Sequence, residues 1–250
     1  MTTYKLIALD MDGTLLNDRQ EVSPQNQEWI SRAMEAGLTV ILSTGRGFDS
    51  ASPYAEQLKL EGPMITVNGG EVWAKPNLLH KRTELSWTYV KRLRELALQH
   101  EEPWYWAYST YGVFNKEQWI DPAEAYDQHH WLKFGYYTEN DEIRAELLAE
   151  ARSWGAFEIT NSSPTNLELN PLGISKASGL EEVCGLLGIA MSEVVAVGDS
   201  LNDIAAIRAA GLGVAMGNAQ EEVKQAADFV TLTNEENGVA EVIKRCLKLS

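Results

Sequence analysis

Close to the start of the chain the apolar run Leu6-Ile7-Ala8-Leu9 stops at two aspartates two positions apart, Asp10 and Asp12, with Gly13 and Thr14 behind them. On an extended strand residues i and i+2 share a face, so both carboxylates are expected to enter one crevice. Carboxylates that close repel each other unless a cation or a shared proton intervenes. Three further polar groups bear on the same chemistry: Ser43-Thr44-Gly45-Arg46, Lys176, and Gly198-Asp199-Ser200-Leu201-Asn202-Asp203. Gathered in one crevice they offer four carboxylates, a hydroxyl, an ammonium and several backbone N–H groups. Oxygen ligands suit a hard cation, and Mg²⁺ typically takes one or two carboxylates together with water and substrate phosphate. Lys176, Thr44 and exposed backbone N–H groups suit phosphate oxygens.

The elements that must position these groups alternate. Ser23-Pro24 reads as a helix start, Ser as cap and Pro at the first helical position, with the helix ending near Gly37. A buried strand over 38–42 leads into Ser43-Thr44-Gly45-Arg46, a helix covers 48–60, and a strand over 64–67 ends in Asn68-Gly69-Gly70. That last tripeptide is either a plain turn or a lining of the site. A hairpin follows around Pro76-Asn77. From about residue 83 the composition shifts: 16 of the 22 aromatic residues lie between 83 and 172. Helical spacing over 86–100 and 141–153, and short strands over 104–108, 131–137, 157–161 and 166–169, describe a separate α+β unit. Its aromatic runs read mainly as strand and core residues, and His129-His130 as a loop or surface pair. After 173 the alternation resumes, with a helix over 176–188, strands over 193–197, 212–216 and 229–231, and a last helix over 238–248. The fold class is therefore α/β: a Rossmann-like parallel sheet with helices on both faces, formed by 1–82 and 173–250, into which an α+β cap of 83–172 is inserted. Ligands of such sheets bind at the carboxyl ends of the strands, where the polar clusters fall.

Composition narrows the function. A formal charge of −15 argues against nucleic acid or an anionic membrane surface as partner, though not against a small phosphorylated substrate shielded by a metal. The two cysteines, Cys184 and Cys246, sit in apolar periodic stretches and read as reduced core residues. No secretory leader is evident in Met1-Thr2-Thr3-Tyr4-Lys5, and no apolar run reaches a membrane span, so the chain is expected to be soluble and cytoplasmic. Its oligomeric state is left open.

In order and spacing these motifs resemble those of the haloacid dehalogenase-type phosphohydrolases, and with the long insertion, the Cof-type members with the subclass IIB cap. Asp10-Met11-Asp12-Gly13-Thr14, Ser43-Thr44-Gly45-Arg46, Ile174-Ser175-Lys176 and the segment Gly198 to Asp203 match the four motifs in turn, and Gly211 to Ala219 is typical of the group. Singly, each has a bland reading as a turn, a surface lysine or a helix-capping acid; four such coincidences in order are hard to sustain. The resemblance implies a Mg²⁺-dependent phosphatase acting on a small phosphorylated metabolite, a sugar phosphate, nucleotide or cofactor phosphate. Asp10 would be the nucleophile, forming an aspartyl-phosphate, and Asp12 would protonate the leaving oxygen and then activate water. Asp10, the main-chain carbonyl of Asp12, and Asp199 would hold Mg²⁺; Thr44, Gly45, Lys176 and Asn202 would bind phosphate; Asp203, Arg46 and Asn68 would support them. Two alternatives stand beside this: a sugar phosphomutase using the same nucleophile, and a non-catalytic regulatory protein of the same fold. None of the four histidines falls in a motif, in keeping with a carboxylate acting as acid and base.

Overall fold

The computed structural model describes residues 4–119 and 126–249. The chain divides into two compact units, one formed by 1–81 with 175–250 and the other by 82–174.

The first unit begins with β1 (Leu6–Leu9), α1 (Pro24–Glu35), β2 (Thr39–Leu42), α2 (Phe48–Gln57) and β3 (Met64–Thr66). The hairpin strands β4 (Glu71–Lys75) and β5 (Leu78–Arg82) follow. Ser23 caps α1 by accepting from Asn26 N–H at 3.1 Å, with Pro24 at the first turn, as its sequence predicts. The strand expected over 64–67 stops at Thr66, because Val67, Asn68 and Gly69 all take positive φ. The helix expected to reach residue 60 ends at Gln57, and Lys59 turns left-handed behind it.

The second unit contains α3 (Trp87–Ala97), β6 (Trp104–Ser109), β7 (Gly112–Asn115), β8 (Trp131–Tyr137), α4 (Asp141–Ser153), β9 (Phe157–Thr160) and β10 (Asn166–Pro171). Its antiparallel sheet runs β7-β6-β8-β10-β9. α3 packs on β6 and β8, and α4 on β9 and β10. Tyr105, Trp131, Phe134, Tyr136 and Leu169 fill the core between. Most of the aromatic richness is thus packing, as expected. His130 contacts Glu84 at 2.8 Å and His129 lies against Phe114 and Trp131, and among the described residues neither joins a metal-ligating group.

The chain returns to the first unit through α5 (Lys176–Leu187), β11 (Val194–Gly198), α6 (Ile204–Ala209), β12 (Leu212–Ala215), α7 (Glu221–Ala226), β13 (Phe229–Val230) and α8 (Gly238–Leu249). The parallel sheet runs β13-β12-β11-β1-β2, and a parallel bridge from Ser43 to Ile65 carries the order on to β3. β1 and β11 are buried at every residue, as strands covered on both faces must be. The strand order reverses at β1, which pairs with β2 on one side and β11 on the other. That switch point opens a crevice at the carboxyl ends of β1, β2 and β11. Cys184 and Cys246 are buried, reduced cysteines.

Candidate active site

Asp10 follows β1 directly, and its N–H continues the parallel ladder to Val197 C=O at 3.0 Å. The chain then folds back tightly, with Thr14 N–H and Leu16 N–H both donating to Met11 C=O. Gly13 makes that turn possible. Its φ is +75°, and a Cβ there would lie 2.5 Å from Asp199 Oδ2. The same turn aims Thr14 Oγ1 at Asp199 Oδ1, 2.9 Å away, while Ser200 Oγ donates to Asp199 Oδ2 at 3.0 Å.

Lys176 reaches in from the first turn of α5. Ser175 caps this helix, accepting from Ser178 N–H at 3.3 Å while Ser178 Oγ accepts from Ser175 N–H at 3.0 Å. With its backbone fixed by this box, the Lys176 ammonium, 1% exposed, donates to Asp10 Oδ1 at 2.5 Å and Asp203 Oδ1 at 2.6 Å. The other oxygen of Asp203 accepts from the N–H groups of Asp199 and Ser200 at 3.0 and 3.1 Å, which locks the loop after β11. Ligand oxygens of Asp10, Asp199 and Asp203 lie within 4.8 Å of one another.

The electrostatics follow from this crowding. Burial pushes the Asp10 carboxyl well above the ordinary carboxylate range; Lys176 pulls it back, while Asp203 and Asp199 add to the rise. Asp199 is pushed up to about 6, by burial first and Asp203 second. Burial alone would lower Lys176, but Asp10 and Asp203 together raise it, so the ammonium stays charged. With one ammonium facing three carboxyl groups, full ionisation of the cluster leaves it short of positive charge. An all-oxygen donor set with excess negative charge suits a hard divalent cation.

Asp12 is not one of the three clustered carboxylates. The shared crevice expected from strand alternation does not arise that way, because β1 ends at Leu9 and both aspartates lie in the following loop. Asp12 is instead held by a fork from Arg46, Nε to Oδ2 at 2.8 Å and Nη2 to Oδ1 at 2.5 Å. This pairing raises the Arg46 pKa. Gln20 Oε1 accepts from Arg46 Nη2, and the Tyr54 ring lies 5.4 Å beneath the guanidinium. Thr44 is buried in the neighbouring loop, with its Oγ1 accepting from Arg46 N–H at 3.1 Å; Gly45 lies between them. Asn202 Nδ2 donates to Asn68 Oδ1 at 3.2 Å. The fold thus gathers Asp10, Lys176, Asp199 and Asp203 in one cluster, and brings Asp12 to Arg46 and Asn68 to Asn202. Sequence reasoning assigned no role to Thr14, Ser200, Gln20 or Tyr54. Thr14 and Ser200 adjoin acidic motif residues, which is the one signal that could have marked them.

An acidic residue at the end of a switch-point strand, bonded to a buried lysine beside an oxygen-rich cluster, is the equipment of phosphoryl transfer. Residues 7–243 match the family of haloacid dehalogenase-like hydrolases. The 5-amino-6-(5-phospho-D-ribitylamino)uracil phosphatase YcsE of Bacillus subtilis is 48% identical over 96% of this chain and 94% of its own length. The structure of a haloacid dehalogenase-like hydrolase from B. subtilis superposes with a TM-score of 0.87, at 28% identity, covering 96% of this chain and 99% of that one. A subclass IIB sugar phosphatase, BT4131, shares the fold with a TM-score of 0.83 at 23% identity, covering 96% and 98% of the two chains. The chain belongs to the haloacid dehalogenase-like hydrolases, as a Cof-type phosphatase of small phosphorylated metabolites. No helix among the described residues is long and apolar enough to cross a membrane.

Proposed function

We propose that this phosphatase works through an aspartyl-phosphate on Asp10 with Mg²⁺ as cofactor, and that its substrate is 5-amino-6-(5-phospho-D-ribitylamino)uracil. The observation that carries the chemical reading is the buried Lys176 bridging Asp10 and Asp203 beside Asp199, with Asp12 outside that cluster. The substrate rests on the activity named for the relative at 48% identity.

Asp10 attacks phosphorus through a carboxylate oxygen. The new bond is Asp10 O–P, and the bond broken is that between phosphorus and the ester oxygen. Asp12 gives the departing oxygen its proton, then takes one from the water that attacks phosphorus and releases Asp10. To carry a proton Asp12 must free an oxygen from the Arg46 fork. Lys176 offsets the repulsion between the Asp10 carboxylate and an anionic ester, and Thr44, Gly45 and Asn202 hold phosphoryl oxygens. Asp10, the Asp12 carbonyl and Asp199 would hold Mg²⁺, which supplies positive charge to the phosphoryl oxygens when bound; Asp203 supports Lys176 and the loop carrying Asp199.

The test is phosphate release in Mg²⁺ buffer from 5-amino-6-(5-phospho-D-ribitylamino)uracil and from a panel of sugar phosphates, nucleotides and cofactor phosphates. The proposal expects the ribitylaminouracil phosphate to have the highest kcat/KM. A sugar phosphate preferred over it would overturn the substrate, and an isomerised sugar phosphate in place of free phosphate would indicate a mutase.

A further inference from the structure

The tripeptide Val67-Asn68-Gly69 is left-handed throughout, with φ of 53°, 55° and 97°. A β-branched residue in this region is an outlier, and such a backbone persists only where its surroundings over-determine it. Those surroundings are three segments of the site. Val67 N–H donates to Arg46 C=O at 2.9 Å, and Asn68 N–H donates to Thr44 C=O at 3.0 Å. Gly69 lies so close to the cap of α5 that a Cβ on it would sit 2.2 Å from Ser175 C=O, one residue before Lys176. The Asn68 side chain, 1% exposed, accepts from Asn202 Nδ2.

Asn202 is 7% exposed and is held through its amide nitrogen. A primary amide has two N–H donors and one acceptor. Asn68 takes one of the two N–H donors and leaves the second for a ligand oxygen.

We propose that Asn68 is a positioning residue for phosphate, holding the Asn202 amide nitrogen so that its second N–H meets a phosphoryl oxygen, and that the left-handed loop exists to place Asn68 there. This rests on the assignment of Asn202 as a phosphate contact. Asparagine suits the position on both counts: it tolerates the left-handed region better than most side chains and carries a short amide.

The decisive comparison uses Asn68→Gly, Asn202→Ala and the double variant in the full chain. Glycine keeps the left-handed backbone, and with it the bonds to Thr44 and Arg46, while removing only the amide. The readouts are the inhibition constant of inorganic phosphate, KM and kcat for one phosphate ester, and Tm. Loss of a hydrogen bond to an ionised group predicts that Asn202→Ala raises the phosphate inhibition constant by about tenfold or more. Asn68→Gly should raise it by roughly five- to tenfold on the same principle, with KM rising more than kcat falls, and the double variant should be no worse than Asn202→Ala alone. Asn68→Ala should match Asn68→Gly in phosphate affinity but lose Tm as well, through its strained backbone, so a positioning effect is read apart from a folding one. An unchanged inhibition constant in both Asn68 variants, with Asn202→Ala impaired, would overturn the inference and leave the site assignment standing. Losses that multiply in the double variant would also overturn it. No effect of Asn202→Ala would remove the assignment itself, and the inference with it.

Discussion

Each unit of the molecule buries a lysine, and the two lysines are partnered differently. In the inserted unit Lys133 meets Glu168 at 3.1 Å, with side chains 2% and 6% exposed, and the Tyr108 ring lies 4.7 Å from the ammonium. Ser162 Oγ also donates to Glu168. In the parallel-sheet unit Lys176 meets Asp10 and Asp203 at once, with Asp199 close by. The Lys133–Glu168 contact sets one charge against one. The Lys176 cluster sets one ammonium against three carboxyl groups, whose surplus calls for further positive charge. That surplus marks Lys176 as part of the chemistry.

The sharpest way to break this contrast is Asp10→Asn, which should lower kcat by about a thousandfold or more by removing the nucleophile; steady-state phosphate release measures it, and retained turnover would remove the mechanism. Next in size is stability. Lys176→Met strands its carboxylates and should cost about 3–5 kcal/mol in denaturant unfolding. Lys133→Met takes the counter-charge from one bonded carboxylate rather than two and should cost less, about 3 kcal/mol. A loss larger than that of Lys176→Met would erase the contrast. Smaller is the response to metal. Asp199 has a folded pKa raised to about 6 from 3.8. Its contribution to stability is therefore fully present below the unfolded value and lost as pH rises through about 6. Mg²⁺ should then raise Tm more at pH 7.5 than at pH 5, with about 2.7 kcal/mol of stabilisation at a hundred times its Kd. Equal shifts at both pH values would contradict the charge surplus. Smallest is Arg46→Lys, which keeps the charge but loses the fork on Asp12 and should lower kcat by about tenfold.

What the sequence makes legible follows from range. Asp10 and Asp199 each come just past an apolar strand, and Lys176 sits in the first turn of a capped helix, so local pattern locates them. The alternating elements likewise imply the parallel sheet and its insertion. The different partners of Asp10 and Asp12 are not legible, because alternation governs strands and β1 ends at Leu9. Nor is the Arg46 fork, which joins residues 34 positions apart and depends on how Gln20 and Tyr54 fold around it. The left-handed loop is hidden for a different reason: valine gives no signal for positive φ, so the pattern reads as strand through Val67. The strand β7 and the helix α7, four and six residues long, are too short for periodicity to register.

The central claim, that the unbalanced cluster makes Asp10 a nucleophile, is tested most directly by trapping the phosphoenzyme. The enzyme is mixed with substrate in Mg²⁺ buffer, quenched in acid during turnover, digested and read by mass spectrometry. The account predicts one phosphoryl group on the peptide carrying Asp10, labile to hydroxylamine and absent from Asp10→Asn. A phosphoryl group on any other residue, or turnover with no phosphoenzyme at any quench time, would contradict it.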